Sequence, residues 1–295
     1  MPARTRRSGS PRSRAVGIDI GGTSVRAALV DNSAHILAAT RAPTPPGGNP
    51  EQLAETLARL VVEIPGQAAA TIPTIGVALP GIRDAETDVM QRAVNLPRLE
   101  GVNVRELLEH ALHRPVYLET DVNAAGWAQW RASTPLPRRF AYLSLGTGVG
   151  GCVILDGEIV RHTHDGAGHF GHLVVDTARD AAPCGCGGRG CLEAITSRPP
   201  SAEAAARDEW TTKAANALAL GLLQIAHLYA PDTIMLGGGV LEHHPELVPR
   251  TQSAFDALRS TLVPEQMTIQ AAPLPADEAG VIGVALLALA TSVRA

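Results

Sequence analysis

The chain has 295 residues, of which 45% are hydrophobic and 18% are charged, and its formal net charge is -4. This length suits a globular protein of two lobes, and the acidic balance argues against nucleic-acid binding, which needs a basic face. Lys213 is the only lysine in the sequence. The chain therefore lacks the lysine that follows the glycines of a Walker P-loop.

The first fourteen residues contain five arginines and no acidic residue. We expect residues 1–14 to form a disordered tail. No apolar stretch follows these charges as it would in a secretory signal, and no apolar run is long enough to cross a bilayer. The sequence thus predicts a cytoplasmic protein with no membrane partner.

Residues 15–125 are predicted to form an N-terminal α/β lobe. Short apolar runs separated by turn residues predict three strands, near residues 15–20, 25–31 and 35–40. Helical periodicity and strand-like runs alternate after them. They predict a helix near 51–62, a strand at 74–81, a helix at 104–112, a strand at 115–120 and a helix from 121 to 130.

Residues 126–295 repeat this order and are predicted to form a C-terminal α/β lobe. The pattern predicts a strand pair over 140–160, a helix over 202–230, a strand at 233–239, a helix at 245–258, a strand at 267–270 and a helix over 280–293. The shared plan of the two halves predicts two lobes separated by a cleft. We expect the last helix to pack back on the first lobe.

Three glycine-rich turns follow predicted strands. Asp19 precedes the first turn, and the others span 145–151 and 237–239. A single turn of this kind is most often an ordinary hairpin. Three of them favour phosphate binding by backbone N–H groups, with a hydrated Mg²⁺ near Asp19. The candidate residues for this role are Asp19, Gly21, Gly22, Thr23, Gly146, Thr147, Gly148, Gly237, Gly238 and Gly239.

Three of the four cysteines lie in one glycine-rich loop, PCGCGGRGCLE. Cys184, Cys186 and Cys191 together with His172 can surround one tetrahedral Zn²⁺. A disulfide is disfavoured because Cys184 and Cys186 are too close in sequence to bond without strain, and because the cytosol is reducing. The pattern predicts a structural zinc loop over residues 172–193, whereas Cys152 lies in an apolar run and is predicted to be a buried small residue.

These motifs, in this order, resemble those of the ROK family, which groups bacterial sugar kinases with related repressors. The resemblance extends from Ala15 to the C-terminus and rests on residues 17–23, 145–150 and 237–239, on the zinc motif, and on residues 279–283. It implies the two-lobed actin-like, ribonuclease H-like ATPase fold. It also implies ATP and Mg²⁺ as cofactors, a structural Zn²⁺, a small sugar or sugar-like substrate, and a homodimer.

The resemblance also assigns roles to single residues. Asp121 matches the general base that takes a proton from the sugar hydroxyl, although the same residue could simply be the N-cap of the following helix. The residues expected to contact the sugar are Gly81, Asn95, Thr120, Asp121, His169, His172 and Glu193.

Two of these positions depart from the family pattern. Thr120 stands where asparagine is usual, and His169 stands where glutamate is usual. A neutral imidazole offers one donor and one acceptor, whereas a carboxylate accepts two hydroxyl hydrogen bonds. The substrate therefore stays open between a glucose-like hexose phosphorylated at a primary hydroxyl such as O6, an amino sugar such as kanosamine, and a cyclitol.

A regulator that binds sugar but phosphorylates it weakly is the alternative from another class. The family usually has a longer segment between the positions of Glu193 and Gly237, and its shortening here keeps this alternative open. A repressor of the family would need an N-terminal helix-turn-helix, and the fourteen residues before Ala15 are too few to form one.

Overall fold

The computed structural model describes residues 13–65, 74–161, 168–197, 199 and 204–292. The elements of the first half are β1 (Arg14–Ile20), β2 (Ser24–Asp31), β3 (Ile36–Pro43), α1 (Pro50–Glu63), β4 (Ile75–Leu79), β5 (Ile82–Arg83), β6 (Met90–Arg92), α2 (Val104–Leu112) and β7 (Val116–Thr120). Five of the strands form a sheet in the order β3-β2-β1-β4-β7, and β5 pairs with β6 in a separate ribbon. The pairs β3-β2 and β2-β1 are antiparallel, while β4 and β7 run parallel to β1.

The second half repeats this sheet. It contains α3 (Asp121–Ala132), β8 (Arg139–Leu145), β9 (Val149–Leu155), β10 (Glu158–Ile159), α4 (Leu192–Thr196), α5 (Ala204–Tyr229), β11 (Thr233–Gly237), α6 (Gly239–His243), α7 (Leu247–Leu258), β12 (Thr268–Ala271) and α8 (Ala276–Ser292). The strand order is β10-β9-β8-β11-β12, with β9 antiparallel to β8 and with β11 and β12 parallel to it. The predicted α/β fold with two lobes is confirmed.

Local sequence signals explain why the longer elements form where they do. In α1, the Asn49 side chain accepts a hydrogen bond from the Gln52 backbone N–H at 3.0 Å, and Pro50 occupies the first helical position. The apolar positions that predicted this helix are the ones it buries, namely Leu53, Leu57, Leu60 and Val61. The elements that the sequence analysis did not predict (β5, β6, α4 and α6) are too short to produce a hydrophobic period.

Each sheet is covered on both faces. Side chains of α1 and α2 pack on one face of the first sheet, and α8 packs on the other face. In the second lobe, α5 and α7 cover one face, while Trp130 of α3 joins a cluster with Phe140 and Tyr142 on the other face. None of the helices in the described ranges is both long and apolar enough to span a membrane.

Helix α3 lies where the lobes meet, and it contacts the last helix backbone to backbone. A Cβ atom at Gly283 of α8 would collide with the carbonyl oxygen of Ala124 in α3, and one at Gly17 of β1 would collide with the carbonyl oxygen of Val281. The predicted lobe boundary after residue 125 falls inside α3. The close packing fixes α3, and with it Asp121 at its start, against the first sheet.

We expect Gly283→Ala to lower the free energy of unfolding by about 2 kcal/mol or more, because neither backbone can yield easily to the added methyl group. Urea unfolding followed by circular dichroism measures the change. Gly239→Ala is the matched control, since a Cβ there meets no atom within 4 Å. Equal stabilities of the two variants would contradict this account of the helix contact.

Candidate active site

A cavity of about 690 Å³ opens between the two lobes. One wall of the cavity is formed by the carboxyl ends of the parallel strands of the first sheet, where Asp19, Pro80 and Thr120 lie. The opposite side comes from the turn between β8 and β9. Ligands of α/β proteins bind at such strand ends, and a cleft of this size holds a small molecule.

Most of the predicted site residues line this one cavity. All seven predicted sugar contacts do so: Gly81, Asn95, Thr120, Asp121, His169, His172 and Glu193. Of the residues predicted to bind phosphate or Mg²⁺, the cavity is lined by Asp19, Gly21, Gly146, Thr147 and Gly148. The structure thus brings together residues that are widely separated along the chain.

Five predicted phosphate-binding residues do not line the cavity: Gly22, Thr23, Gly237, Gly238 and Gly239. Gly22 instead allows the close approach of Asn95, since a Cβ at Gly22 would lie 2.9 Å from the Asn95 Cβ. Gly238 has a φ of 95°, and a Cβ there would collide with the backbone of Leu145. Gly238 therefore packs against the end of β8, where a side chain would displace the start of the second glycine turn.

The interpretation of Asp121 as a helix cap is wrong. The N-cap of α3 is Thr120, whose side-chain hydroxyl accepts from the Asn123 backbone N–H at 3.4 Å. Asp121 is the first helical residue, and its Oδ1 accepts from the Val122 N–H at 2.7 Å. Its carboxylate thus faces the cavity at the positive end of the α3 dipole.

Two carboxylates in the cavity have raised pKa values. Burial raises the pKa of Asp19 to about 7, with a further contribution from the neighbouring Asp121 that Arg26 partly offsets. Asp121 is accessible from the cleft but is surrounded by protein on its other sides, and this desolvation raises its pKa to about 6 against the opposing backbone hydrogen bonds. Two desolvated carboxylates that repel each other are the donor set that a hard cation such as Mg²⁺ prefers.

Three of the predicted sugar contacts, His169, His172 and Glu193, come from the second lobe. The Oε2 atom of Glu193 accepts from the Val149 backbone N–H at 2.8 Å, so this carboxylate is tied to the second glycine turn. The ring centroids of His169 and His172 are 6.0 Å apart. Burial and the nearby His172 lower the pKa of His169, although Glu193 opposes this. The pKa of His169 therefore lies below the ordinary value of an imidazole.

The predicted zinc ligands converge on one point. The ligand atoms of His172, Cys184, Cys186 and Cys191 all lie within 4.8 Å of one another. The distance from His172 Nδ1 to Cys184 Sγ is 3.6 Å, and that between Cys186 Sγ and Cys191 Sγ is 3.8 Å. Zn–S bonds of about 2.3 Å give tetrahedral S···S separations of about 3.8 Å. The four residues therefore fit a tetrahedral Zn²⁺, and no disulfide joins them.

Some cavity residues were not predicted from the sequence. Gly280 lies in the segment 279–283 that contributes to the family resemblance, so a signal for it was present. A Cβ there would lie 2.7 Å from Asp19 Oδ2, so this glycine lets α8 begin directly over the carboxylate. Arg92, Ser144 and Ala276 also line the cavity, and no pattern in the sequence marks them.

Two α/β lobes with related sheets and a glycine-lined cleft define the actin-like ATPase class. A family model described as the ROK family matches residues 15–214. The chain belongs to the ROK family.

Three similar proteins agree with this assignment. The N-acetylmannosamine kinase of Salmonella paratyphi B is 35% identical over 194 residues, which are 66% of this chain and 64% of that protein. The chain thus matches less than two thirds of this relative's length. The N-acetylmannosamine kinase of Salmonella heidelberg is 32% identical over 297 residues, covering 92% of this chain and 97% of that protein. The crystal structure of a ROK hexokinase from Thermus thermophilus has a TM-score of 0.82 and 30% identity, covering 96% of this chain and 100% of that one.

We expect Cys184→Ser to lose most of the bound zinc, because the hydroxyl that replaces the thiolate is a poor zinc ligand. Metal analysis of the purified protein measures this. Cys152→Ala is the control, since Cys152 is buried outside the cluster and should leave the zinc content unchanged. Undiminished zinc in Cys184→Ser would refute the site.

We expect Asp19→Asn to stabilise the Mg²⁺-free protein at pH 8 by roughly 1–2 kcal/mol. The pKa of Asp19 in the folded protein, about 7, is above its ordinary value near 3.8, so its favourable contribution is full below pH 3.8 and is lost as the pH rises through 7. Denaturant unfolding at pH 8 and near pH 4 measures the gain, which should vanish at the lower pH. Glu63→Gln, at an exposed position of α1, is the control. A loss of stability at pH 8 would contradict the assigned pKa.

Proposed function

We propose that the protein is an ATP- and Mg²⁺-dependent carbohydrate kinase that transfers the γ-phosphoryl group to a primary hydroxyl, O6, of a hexose. The observation that carries the proposal is that Asp121 lines the same cavity as the glycine turn 146–148 and the polar residues of the sugar pocket. Phosphoryl transfer needs mainly these three parts: a base, a phosphate cradle and a pocket for the acceptor.

Asp121 is the general base in this proposal. It accepts the proton of the acceptor hydroxyl while that oxygen bonds to the γ-phosphorus and the bond from phosphorus to the leaving ADP oxygen breaks. A pKa of about 6 leaves the carboxylate ionised at neutral pH but basic enough to take the proton. The hydrogen bond from Val122 to one of its oxygens holds the group in one orientation.

Backbone N–H groups replace the lysine of a P-loop. Gly21 and the turn 146–148 would hold the phosphates, since such turns offer several N–H donors to one anion. Asp19 would hold the Mg²⁺ through water. When bound, the metal ion neutralises charge on the phosphates.

His169 stands in the pocket where a carboxylate is usual, and its imidazole offers a different set of hydrogen bonds to the sugar hydroxyls. The carboxylates of Asp121 and Glu193 line the same cavity, so an ammonium group on the sugar would also find a counter-charge there. The pocket suits a glucose-like hexose or an N-acylated hexosamine, and an amino sugar such as kanosamine stays an alternative. N-acetylmannosamine joins the candidates because the relatives named above are kinases of that sugar. A cyclitol stays a further alternative.

The direct test is an ADP-release assay with Mg²⁺, the zinc-loaded protein, and a panel of glucose, N-acetylmannosamine, kanosamine and a cyclitol. We expect turnover on at least one member of the panel, and a loss of about two to four orders of magnitude in Asp121→Asn, which lacks the base. No turnover on any member of the panel would overturn the kinase. If titration calorimetry then detected sugar binding, the regulator would be the better account.

The proposal also predicts the pH dependence. Because the base must be ionised, kcat/KM should fall about tenfold per pH unit below about 6 and level off above about 7. Initial rates at saturating Mg²⁺ over pH 5 to 8 measure the profile. A flat profile across this range would contradict the role of Asp121.

A further inference from the structure

A buried carboxylate lies beside the active site but outside the cavity. The Glu119 side chain is 2% exposed and belongs to β7, two residues before Asp121. The two residues that follow it line the cavity, but Glu119 does not. The proposed reaction leaves this charged group without a role, although burying it is costly unless it is well paired.

The two carboxylate oxygens of Glu119 accept hydrogen bonds from five donors. Oε2 accepts from Arg161 at 2.9 Å (Nε) and 2.7 Å (Nη2), and from the Tyr117 hydroxyl at 3.1 Å. Oε1 accepts from the Thr120 backbone N–H at 3.1 Å and from Asn123 Nδ2 at 3.0 Å. The buried negative charge of Glu119 is therefore balanced by the Arg161 guanidinium and by hydrogen bonds to both carboxylate oxygens.

Two of these contacts hold the segment that carries the base. Thr120 precedes Asp121 and caps α3, and Asn123 lies in the first turn of that helix. The Glu119 carboxylate thus holds the residue before Asp121 and a residue two positions after it by hydrogen bonds. These bonds fix the backbone on both sides of the base, and Glu119 itself lies outside the cavity where a substrate would bind.

The other contacts join the two lobes. Glu119 and Tyr117 belong to β7 of the first sheet, whereas Arg161 follows β10 at the edge of the second sheet. Arg161 Nη2 also donates to the Tyr117 hydroxyl at 3.1 Å, so the guanidinium binds two groups of the opposite lobe. The Asp121 base belongs to the first of these lobes, and the His169 and Glu193 side chains belong to the other.

We propose that Glu119 and Arg161 form a positioning pair, which holds the first turn of α3 and the two lobes in the relation that brings Asp121 to the acceptor hydroxyl. The inference rests on the proposed kinase function. Displacement of a catalytic group by about 1 Å can reduce the rate by about a hundredfold. The pair acts through Asp121 and does not itself contact a substrate.

The test compares Glu119→Gln, Arg161→Lys and the double variant with the wild-type kinase. We expect Glu119→Gln to lower kcat by about 10- to 100-fold while the KM of the sugar changes less than about threefold, because phosphoryl transfer depends more steeply on the position of the base than sugar binding depends on the spacing of the pocket residues. Arg161→Lys keeps the positive charge but loses the paired Nε and Nη2 donors to Glu119, and it should lower kcat less than Glu119→Gln does. The double variant should lose no more than Glu119→Gln alone, since the residues act as one unit.

Asp232→Asn is the matched control. Asp232 is also a carboxylate with several donors, among them the Arg138 and Arg139 backbone N–H groups at 3.1 and 2.9 Å. It lies at the amino ends of β8 and β11, the opposite ends from the glycine turns. Its variant should keep the wild-type kcat even where its melting temperature falls as much as that of Glu119→Gln.

Three outcomes overturn the inference. The first is a kcat of Glu119→Gln within twofold of the wild type while Asp121→Asn is inactive, which leaves the proposed function standing. The second is an equal loss of kcat in Asp232→Asn, which would mean that general destabilisation causes it. The third is an absence of turnover in the wild type, which removes the proposed function as well. If Glu119→Gln does not fold, the kcat of Arg161→Lys decides: a wild-type value overturns the pair, and a selective loss supports it.

Discussion

The arrangement of the cleft depends on one packing constraint, the backbone contact of α8 with the first sheet and with α3. Side chains at Gly17 or Gly283 would force these backbones apart, so the contact exists only because glycine occupies both positions. The contact fixes the start of α3 beside the end of β1. Asp121 and Asp19 are consequently close enough for the charge of Asp121 to raise the pKa of Asp19.

The electrostatics of the site follow from that proximity. Two desolvated carboxylates are unfavourable beside each other and lower the stability of the folded protein, and the Mg²⁺ proposed above would offset that cost when bound. In the second lobe, the Glu193 side chain is positioned by contacts with two loops. Glu193 Oε2 accepts from the Val149 N–H, and Glu193 Oε1 lies 3.9 Å from Cys184 Sγ, so this carboxylate lies between the glycine turn and the cysteine loop.

Sequence patterns predicted the long elements and most of the cavity, because hydrophobic periods, glycine turns and clustered cysteines are local signals. They allowed Asp121 as the N-cap of α3, an alternative that is wrong, since two adjacent oxygen-bearing residues can both cap and only the backbone decides between them. Residues 237–239 do not line the cavity, and a Cβ at Gly238 would collide with the backbone of Leu145, a contact that the glycine motif alone does not reveal. The ion pair of Glu119 with Arg161 joins residues 42 positions apart and leaves no pattern in one sequence.

We propose above that this cleft transfers a phosphoryl group to a primary hydroxyl of a sugar. The most direct measurement is ³¹P NMR of the protein incubated with ATP, Mg²⁺ and the preferred sugar. The account predicts that the γ-phosphate resonance is replaced by one phosphomonoester signal split by two methylene protons. Release of inorganic phosphate alone, or a phosphoester coupled to a single ring proton, would contradict it.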